Sequence, residues 1–186
     1  MIPPWKIFGR LGNSLFQYAF MYSYARDHGL DFYFQDEYFF REHAEAVRTL
    51  FSADIPAPTN RVAIHVRRGD YVNNSFYVDL TKTDYYEKAI KQFPHDKFIV
   101  FSDDIPWCEE KWGKDPRFEF SYGNELEDLN LMASCKAHIV ANSSFSWWGA
   151  YLHPIYPDNR VLCPSRYYTD GVERTVFPEH WERINI

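Results

Sequence analysis

Between Arg61 and Cys163 short apolar runs alternate with mixed stretches. Arg61–Val66 contains VAIHV, Lys97–Phe101 contains FIVF, and His138–Ala141 and Val161–Cys163 are two more such runs. Unbroken apolar runs of this length, rich in β-branched and aromatic residues, read as strands buried on both faces. Phe118–Phe120 reads as a shorter one. The stretches between them read as helices. Asp84-x-x-Glu87 has capping-box spacing and opens a helix to Phe93; Asn124-x-x-Glu127 has it too and opens one to about Cys135. A short helix is expected around 105–112 and another from Ser144 to Leu152. Strands alternating with helices imply a parallel sheet with crossover helices.

The first third of the chain has a different texture. Ser52–Asn60 holds Pro56 and Pro58, which disfavour helix in the residues before them, and reads as a linker. Ahead of it Trp5–Phe8 is a strand candidate, Gly9–Gly12 a turn, and Ser14–Arg26 a helix. Leu15, Tyr18, Ala19, Tyr22 and Ala25 fall near one face of that helix, and Gly29 is its natural stop. Asp31–Phe34 is a second strand candidate and 37–51 a second helix. The expected organisation is a small α/β domain over 1–55 and a Rossmann-like parallel-sheet domain over 61–186.

With 46% hydrophobic and 25% charged residues among 186, the composition is that of a folded globular protein and excludes disordered, collagenous and disulfide-stapled classes. A net charge of −6 argues against nucleic acid as a partner, because proteins that grip phosphate backbones are usually basic. It leaves room for one phosphorylated small ligand at a local basic spot. Cys108, Cys135 and Cys163 are odd in number and lack CxxC spacing, so reduced thiols in a reducing, cytoplasmic compartment are expected. The start, MIPPWKIFGR, has no apolar signal-type core. The longest uncharged run, 137–157, is interrupted by Asn142, Ser143, Ser144, Ser146, Gly149 and Pro154, so no transmembrane segment is expected.

Parallel sheets bind ligands at the carboxyl ends of their strands, and four strand ends carry candidate chemistry. In Ala63-Ile-His-Val-Arg-Arg-Gly-Asp-Tyr71 an apolar strand ends in two arginines, whose planar guanidinium groups match phosphate oxygens. Gly69 allows a turn or a close approach to a ligand, and His65 points opposite Ile64 and Val66. A surface Arg pair and a satisfied core histidine are the competing reading. Ile139-Val-Ala-Asn-Ser-Ser-Phe-Ser-Trp-Trp-Gly149 runs from a strand through a Ser-rich turn into a helix, a natural anion site or a plain N-cap by Ser143 or Ser144. Phe98-Ile-Val-Phe-Ser-Asp-Asp104 presents two carboxylates that could accept from guanine, or cap a helix. Gly9-Arg-Leu-Gly-Asn-Ser14 is a further strand–loop–helix junction, without P-loop or GxGxxG spacing. The chain has no D-x-D, HExxH or GxSxG. If a diphosphate departs at this site, arginines and a helix start must neutralise it, with no required metal cofactor.

In this order the segments resemble glycosyltransferase family 11, the α-1,2-fucosyltransferases. The matching elements are Gly9-Arg-Leu-Gly-Asn-Ser-Leu-Phe-Gln-Tyr-Ala19, His65-Val-Arg-Arg-Gly-Asp-Tyr71, Phe101-Ser-Asp-Asp104, Ala141-Asn-Ser-Ser-Phe-Ser-Trp-Trp-Gly-Ala-Tyr-Leu152 and Phe177-Pro-Glu-His-Trp181. The resemblance implies a GT-B-like α/β architecture, GDP-L-fucose as donor, a glycan acceptor, inversion at the anomeric carbon and no obligatory metal. It implies Arg67 on the β-phosphate, Arg68 and Asp70 ordering the loop, and His65 with Asp103 or Asp104 on guanosine. Ser143, Ser144, Phe145 and Ser146 would hold phosphate at the helix start. Arg10, Gly12 and Asn13 would face the fucose or the acceptor. Asp70 is a candidate general base, with Asp36 and Glu37 as outside choices. Only residues 14–64 separate the first two elements, a shorter stretch than the family pattern, so the acceptor side is reduced. A second subunit completing the cleft is compatible with this. So are a transferase for another purine-diphosphate sugar and a GDP-sugar-binding module with little transfer.

Overall fold

The computed structural model describes residues 11–28, 44–52, 54–171 and 176–186. The chain divides into two compact units, Met1–Asp54 and Ile55–Ile186. The strands expected at Trp5–Phe8 and Asp31–Phe34, residues 37–43 of the second helix, and Arg10, Gly29, Asp36 and Glu37 lie outside the described residues.

In the first unit α1 spans Leu11–His28 and α2 spans Ala44–Phe51. The first helix starts three residues before the expected Ser14, so Gly12 and Asn13 belong to its first turn and not to a preceding loop. Its buried face is Leu15, Phe16, Ala19, Phe20 and Ser23. Tyr18, expected on that face, is 39% exposed. The Ser23 hydroxyl is satisfied within the helix, donating to the Ala19 carbonyl at 2.9 Å.

The second unit is built on a six-stranded sheet. Its strands are β1 (Thr59–Val66), β2 (Lys97–Ser102), β3 (Phe118–Phe120), β4 (Cys135–Ile139), β5 (Arg160–Pro164) and β6 (Glu182–Ile184). Every pairing is parallel and the order is β3-β2-β1-β4-β5-β6. The crossover helices are α3 (Tyr85–Ile90), α4 (Ile105–Trp112), α5 (Glu125–Ala133) and α6 (Ser144–Tyr151). Gly69–Tyr71 and Leu80–Lys82 form single 3₁₀ turns.

Three expectations need correction. The fourth strand runs from Cys135 to Ile139, so it begins before the expected His138 and leaves Val140 and Ala141 beyond its end. Exposed Lys136 between two buried residues hides its start from a search for apolar runs. Asp84 does not close a capping box. The Tyr85 N–H donates instead to the Thr83 hydroxyl at 3.2 Å, while Asp84 pairs with Lys88 at 2.9 Å, and the helix ends at Ile90. The same spacing works at Asn124, whose Oδ1 accepts from the Leu126 and Glu127 N–H groups while Glu127 accepts from the Asn124 N–H at 2.9 Å. Finally, β6 is a sixth strand that the apolar pattern does not predict, because it carries two charged residues at the sheet edge.

Both faces of the central strands are buried, as parallel strands under crossover helices require. Val62, Ile64, Val66, Phe98 and Val100 pack against Tyr85, Tyr86 and Ala89 of α3 and Cys108 of α4. Ala63, Ile99 and Phe101 face Met132 and Cys135 on the other side. A side chain at Gly149 would overlap Met132, so α5 and α6 meet at a glycine because nothing larger fits. All three cysteines are buried, and burial pushes their thiols up to about 11, 11 and 12 for Cys108, Cys135 and Cys163. No helix among the described residues is long and apolar enough to cross a membrane.

His138 is fully buried in β4. Its Nε2 lies 2.8 Å from the Met132 carbonyl and its Nδ1 3.4 Å from the Asn159 amide. Burial lowers its pKa to about 3, against the opposing pull of that carbonyl; His153 nearby adds to the lowering. The unfolded chain binds this proton near pH 6.5 and the folded chain only near 3, so the unfolded state holds more protons between those values. Stability is therefore full above about pH 6.5 and falls as the pH drops, by about 1.4 kcal/mol per pH unit for each such histidine. His65, with a pKa of about 3, adds a second contribution in the same window. Urea midpoints should decline from pH 7 to pH 5, and His138→Asn should flatten the slope. A pH-independent midpoint in the parent chain would contradict this account.

Candidate functional site

The strand order reverses direction at β1. The chain leaves β1 toward β2 and β3 on one side, then crosses back to place β4 on the other. In open parallel sheets the crevice outside the strand ends at such a reversal is where ligands bind. Arg67 and Arg68 follow β1 immediately, and residues 140–143 carry the chain from β4 into α6.

Register sets the neighbours. Val66 lies level with Ser102, so the residues that follow these strands meet side by side. Arg67 Nη1 lies 2.7 Å from Asp103 Oδ2, and Nη2 pairs with Asp70. The Arg68 backbone N–H donates to the other Asp103 oxygen at 2.9 Å, so one carboxylate spans both arginines. Arg68 Nε donates to Asp104 at 2.8 Å and Nη1 to the Thr81 hydroxyl at 3.2 Å. Its guanidinium lies over Trp107, 4.4 Å from the ring centroid. Asp104 is also the N-cap of α4, accepting from the Trp107 N–H at 3.3 Å. The bond from Arg68 holds the Asp104 carboxyl below its usual range, aided by the Trp107 N–H.

His65 is 5% exposed, and its Nδ1 has no hydrogen-bond partner. Burial lowers its pKa to about 3; Asp103 opposes this and Arg67 adds to it. The ring is neutral at working pH, so one nitrogen can donate and the other accept. It packs 5.4 Å from the Phe145 ring at the start of α6.

Gly69 was expected to turn the backbone or admit a ligand. Its φ is ordinary, and what it admits is Asp103: a Cβ there would overlap the carboxylate oxygen that holds Arg67. Gly69→Ala should loosen that pair and lower kcat about tenfold with little change in the urea midpoint, since one misdirected charge-assisted bond is worth about 1.5–3 kcal/mol. An unchanged kcat would show that Asp103 does not hold Arg67 in its working position.

On the β4 side, Ser143 occupies the N-cap position of α6 but its side chain caps nothing. The Ser146 hydroxyl accepts from the Ala141 N–H at 3.2 Å, pinning the first turn to the strand end. Asn142 is buried, its amide donating to the Val78 and Tyr167 carbonyls at 2.9 Å each. The Tyr71 hydroxyl donates to the Asn142 carbonyl at 3.0 Å, and the Arg67 guanidinium lies 5.3 Å from the Tyr71 ring centroid. A helix start, two arginines and a neutral imidazole thus occupy the ends of two adjacent strands.

The structure joins Arg67, Arg68, Asp70, Asp103 and Asp104 in one network and brings His65 against Phe145. Ser143, Ser144 and Ser146 open α6, and Gly12 and Asn13 lie on α1 in the other unit. Sequence reasoning missed Thr81, Trp107, Tyr71 and Asn142. Tyr71 and Asn142 sit inside segments already singled out, whereas Thr81 lies in a 3₁₀ turn that no periodicity marks. Among the described residues no group of three or more His, Cys, Asp or Glu side chains is arranged to hold a metal ion.

Comparison with known proteins identifies related chains. Glycosyl transferase family 11 matches residues 6–182. An alpha-1,2-colitosyltransferase of Escherichia coli is 36% identical over 82% of this chain and 61% of its own length. The O-antigen biosynthesis glycosyltransferase WbnK of Escherichia coli is 31% identical over 83% and 59%. Galactoside alpha-(1,2)-fucosyltransferase 2 of Rattus norvegicus is 29% identical over 77% and 45%. The chain therefore spans less than two thirds of the length of these curated relatives. Among solved structures, NodZ alpha-1,6-fucosyltransferase co-crystallized with GDP aligns over 61% of this chain and 42% of its own, with TM-score 0.39 and 16% identity.

Proposed function

From the premise that the chain belongs to glycosyl transferase family 11, we propose that it transfers L-fucose from GDP-fucose to a glycan hydroxyl, in α-1,2 linkage to galactose, with inversion. The observation that carries this reading is the pair of arginines held by Asp70, Asp103 and Asp104 at the end of β1, the strand adjacent to β4, whose end leads into α6. A guanidinium and the N–H groups of a helix start together suit a diphosphate.

Arg67 already has two carboxylate partners. Asp70 is the looser one, its side chain 60% exposed against 21% for Asp103. The β-phosphate displaces Asp70 while Asp103 keeps the guanidinium aimed. Because both carboxylates of the β2 end are held by arginines, recognition of guanine falls to neutral His65, with Asp103 and Asp104 supporting the arginines. The acceptor oxygen bonds to the anomeric carbon as the bond to the phosphate oxygen breaks on the opposite face. Arg67 and the α6 N–H groups take up the negative charge that develops on GDP, so no metal is needed. The acceptor proton leaves to a carboxylate, and the released Asp70 is the candidate. The first unit, with Arg10, Gly12 and Asn13, serves the acceptor side.

A second reading keeps the site and changes the sugar. The 36% identical relative is named for colitosyl transfer, which favours a donor other than GDP-fucose within the same chemistry. The short stretch of residues 14–64 between the first two family elements also suits a GDP-sugar-binding module with weak transfer, unless a second subunit completes the cleft. Calorimetry separates these readings from a generic nucleotide site. GDP should bind at least about tenfold more tightly than UDP, as expected when one base leaves a built polar site unpaired, and a chelator should change neither value. Equal affinity for the two would end the guanine assignment. A strict Mg²⁺ or Mn²⁺ requirement would end the arginine-only account of the leaving group.

A further inference from the structure

Beyond Arg67 a file of aromatic rings runs outward. Tyr71 stacks on Tyr77 with centroids 4.2 Å apart and planes within 2° of parallel. Tyr77 then meets Phe76 at 5.1 Å and Tyr168 at 5.6 Å, and Phe76 meets Tyr168 at 4.7 Å. The file ends in solvent, where Phe76 is 48% exposed.

The main chain that carries this exposed ring is anchored on both sides. The Phe76 N–H donates to the Asn74 side chain at 2.8 Å, and its carbonyl accepts from the Thr169 N–H at 3.0 Å. Val78 N–H donates to the Tyr167 carbonyl at 3.2 Å, so the loops after β1 and β5 are laced together by main-chain bonds. Asn142, at the β4 end, ties the same two loops through its amide. The ring thus stands in water, against Tyr77 and Tyr168, on a main chain tied to the residues that shape the strand ends.

We propose that Phe76, supported by Tyr77 and Tyr168, is a stacking platform for a pyranose ring of the acceptor glycan. This rests on the reading of the chain as a glycan-directed transferase. The exposed ring is two ring-to-ring steps from Tyr71, the ring that faces Arg67. The sugar it holds is therefore a neighbour of the one that is modified. Ser75 beside it is exposed and offers a hydroxyl, and the Thr169 hydroxyl donates to the Ser75 and Phe76 carbonyls, joining the two loops under the ring. A pyranose presents exactly that pairing of needs: C–H bonds that pack on an aromatic face, and hydroxyls around the rim. The nucleotide has its own aromatic neighbour, Phe145 beside His65, which leaves this platform to the acceptor.

The test measures binding directly, so that it does not depend on turnover. Lactose, a galactose-terminated tetrasaccharide and GDP are titrated against the parent chain, Phe76→Ala and Phe76→Trp. The expected result for Phe76→Ala is about a tenfold loss for the tetrasaccharide and for lactose, which both carry the neighbouring ring, with GDP changed less than about twofold. Phe76→Trp should keep the tetrasaccharide affinity. The proposal is overturned if the tetrasaccharide is unaffected, if GDP weakens instead, if the tetrasaccharide and GDP weaken together, or if the parent binds GDP and no glycan. A parent chain that binds the tetrasaccharide through Phe76 but not GDP would sink the donor reading and leave the platform standing.

Discussion

Arg67→Ala will lower turnover by about 10²–10³ while the protein stays folded, the loss typical of removing one preorganised donor from a developing negative charge. The side chain is 12% exposed, and its two partners are carboxylates that water can reach and solvate once it is gone. What is lost beyond the ion pairs is its contact with the Tyr71 ring, at the strand end and outside the two clusters packed on the sheet. Lysine should rescue poorly. Its single ammonium cannot pair with Asp103 and a phosphate oxygen in the planar fork that a guanidinium offers. The measurement is single-turnover transfer, with far-ultraviolet dichroism confirming the fold. Turnover within about threefold of the parent would mean that the diphosphate is held elsewhere, and the α6 start would become the main anion site.

Trp148→Ala will remove about 3–5 kcal/mol of stability, the range for truncating a buried aromatic. Trp148 is fully buried on α6, with its ring edge-on to Tyr151 at 5.5 Å and to Trp147 at 5.3 Å. The indole is large, and the neighbouring rings are themselves packed, so the cavity closes only in part. The urea midpoint should drop with little change in the slope of the transition. Because α6 opens at Ser144, GDP affinity should weaken as well. A loss under about 1 kcal/mol would mean that the helix repacks around the gap.

The sheet was legible because its strands are buried on both faces and so appear as unbroken apolar runs. Its edge was not: Glu182 and Arg183 carry no such signal. The site was legible as four strand ends, but its pairings were not. The arginines and the aspartates are about 35 residues apart in sequence and meet only through the β1–β2 register, which periodicity does not specify. Asp84 and Asn124 show the same limit at short range. Both have capping-box spacing, yet a neighbouring threonine hydroxyl takes the N–H at one and the cap forms at the other. Local competition of this kind turns on side-chain geometry and not on spacing.

The charged edge strand has a consequence for solubility. β5 is an apolar, parallel-paired segment whose outer row of main-chain groups is covered, among the described residues, by β6. Arg160 clamps that cover with a forked pair to Glu182 at 2.7 and 3.0 Å. An uncovered apolar edge is a template on which another chain can add a strand. The last residues therefore act as a selvedge: a molecule trimmed before Glu182 would keep its arginine network yet offer β5 as a seam for sheet-to-sheet aggregation.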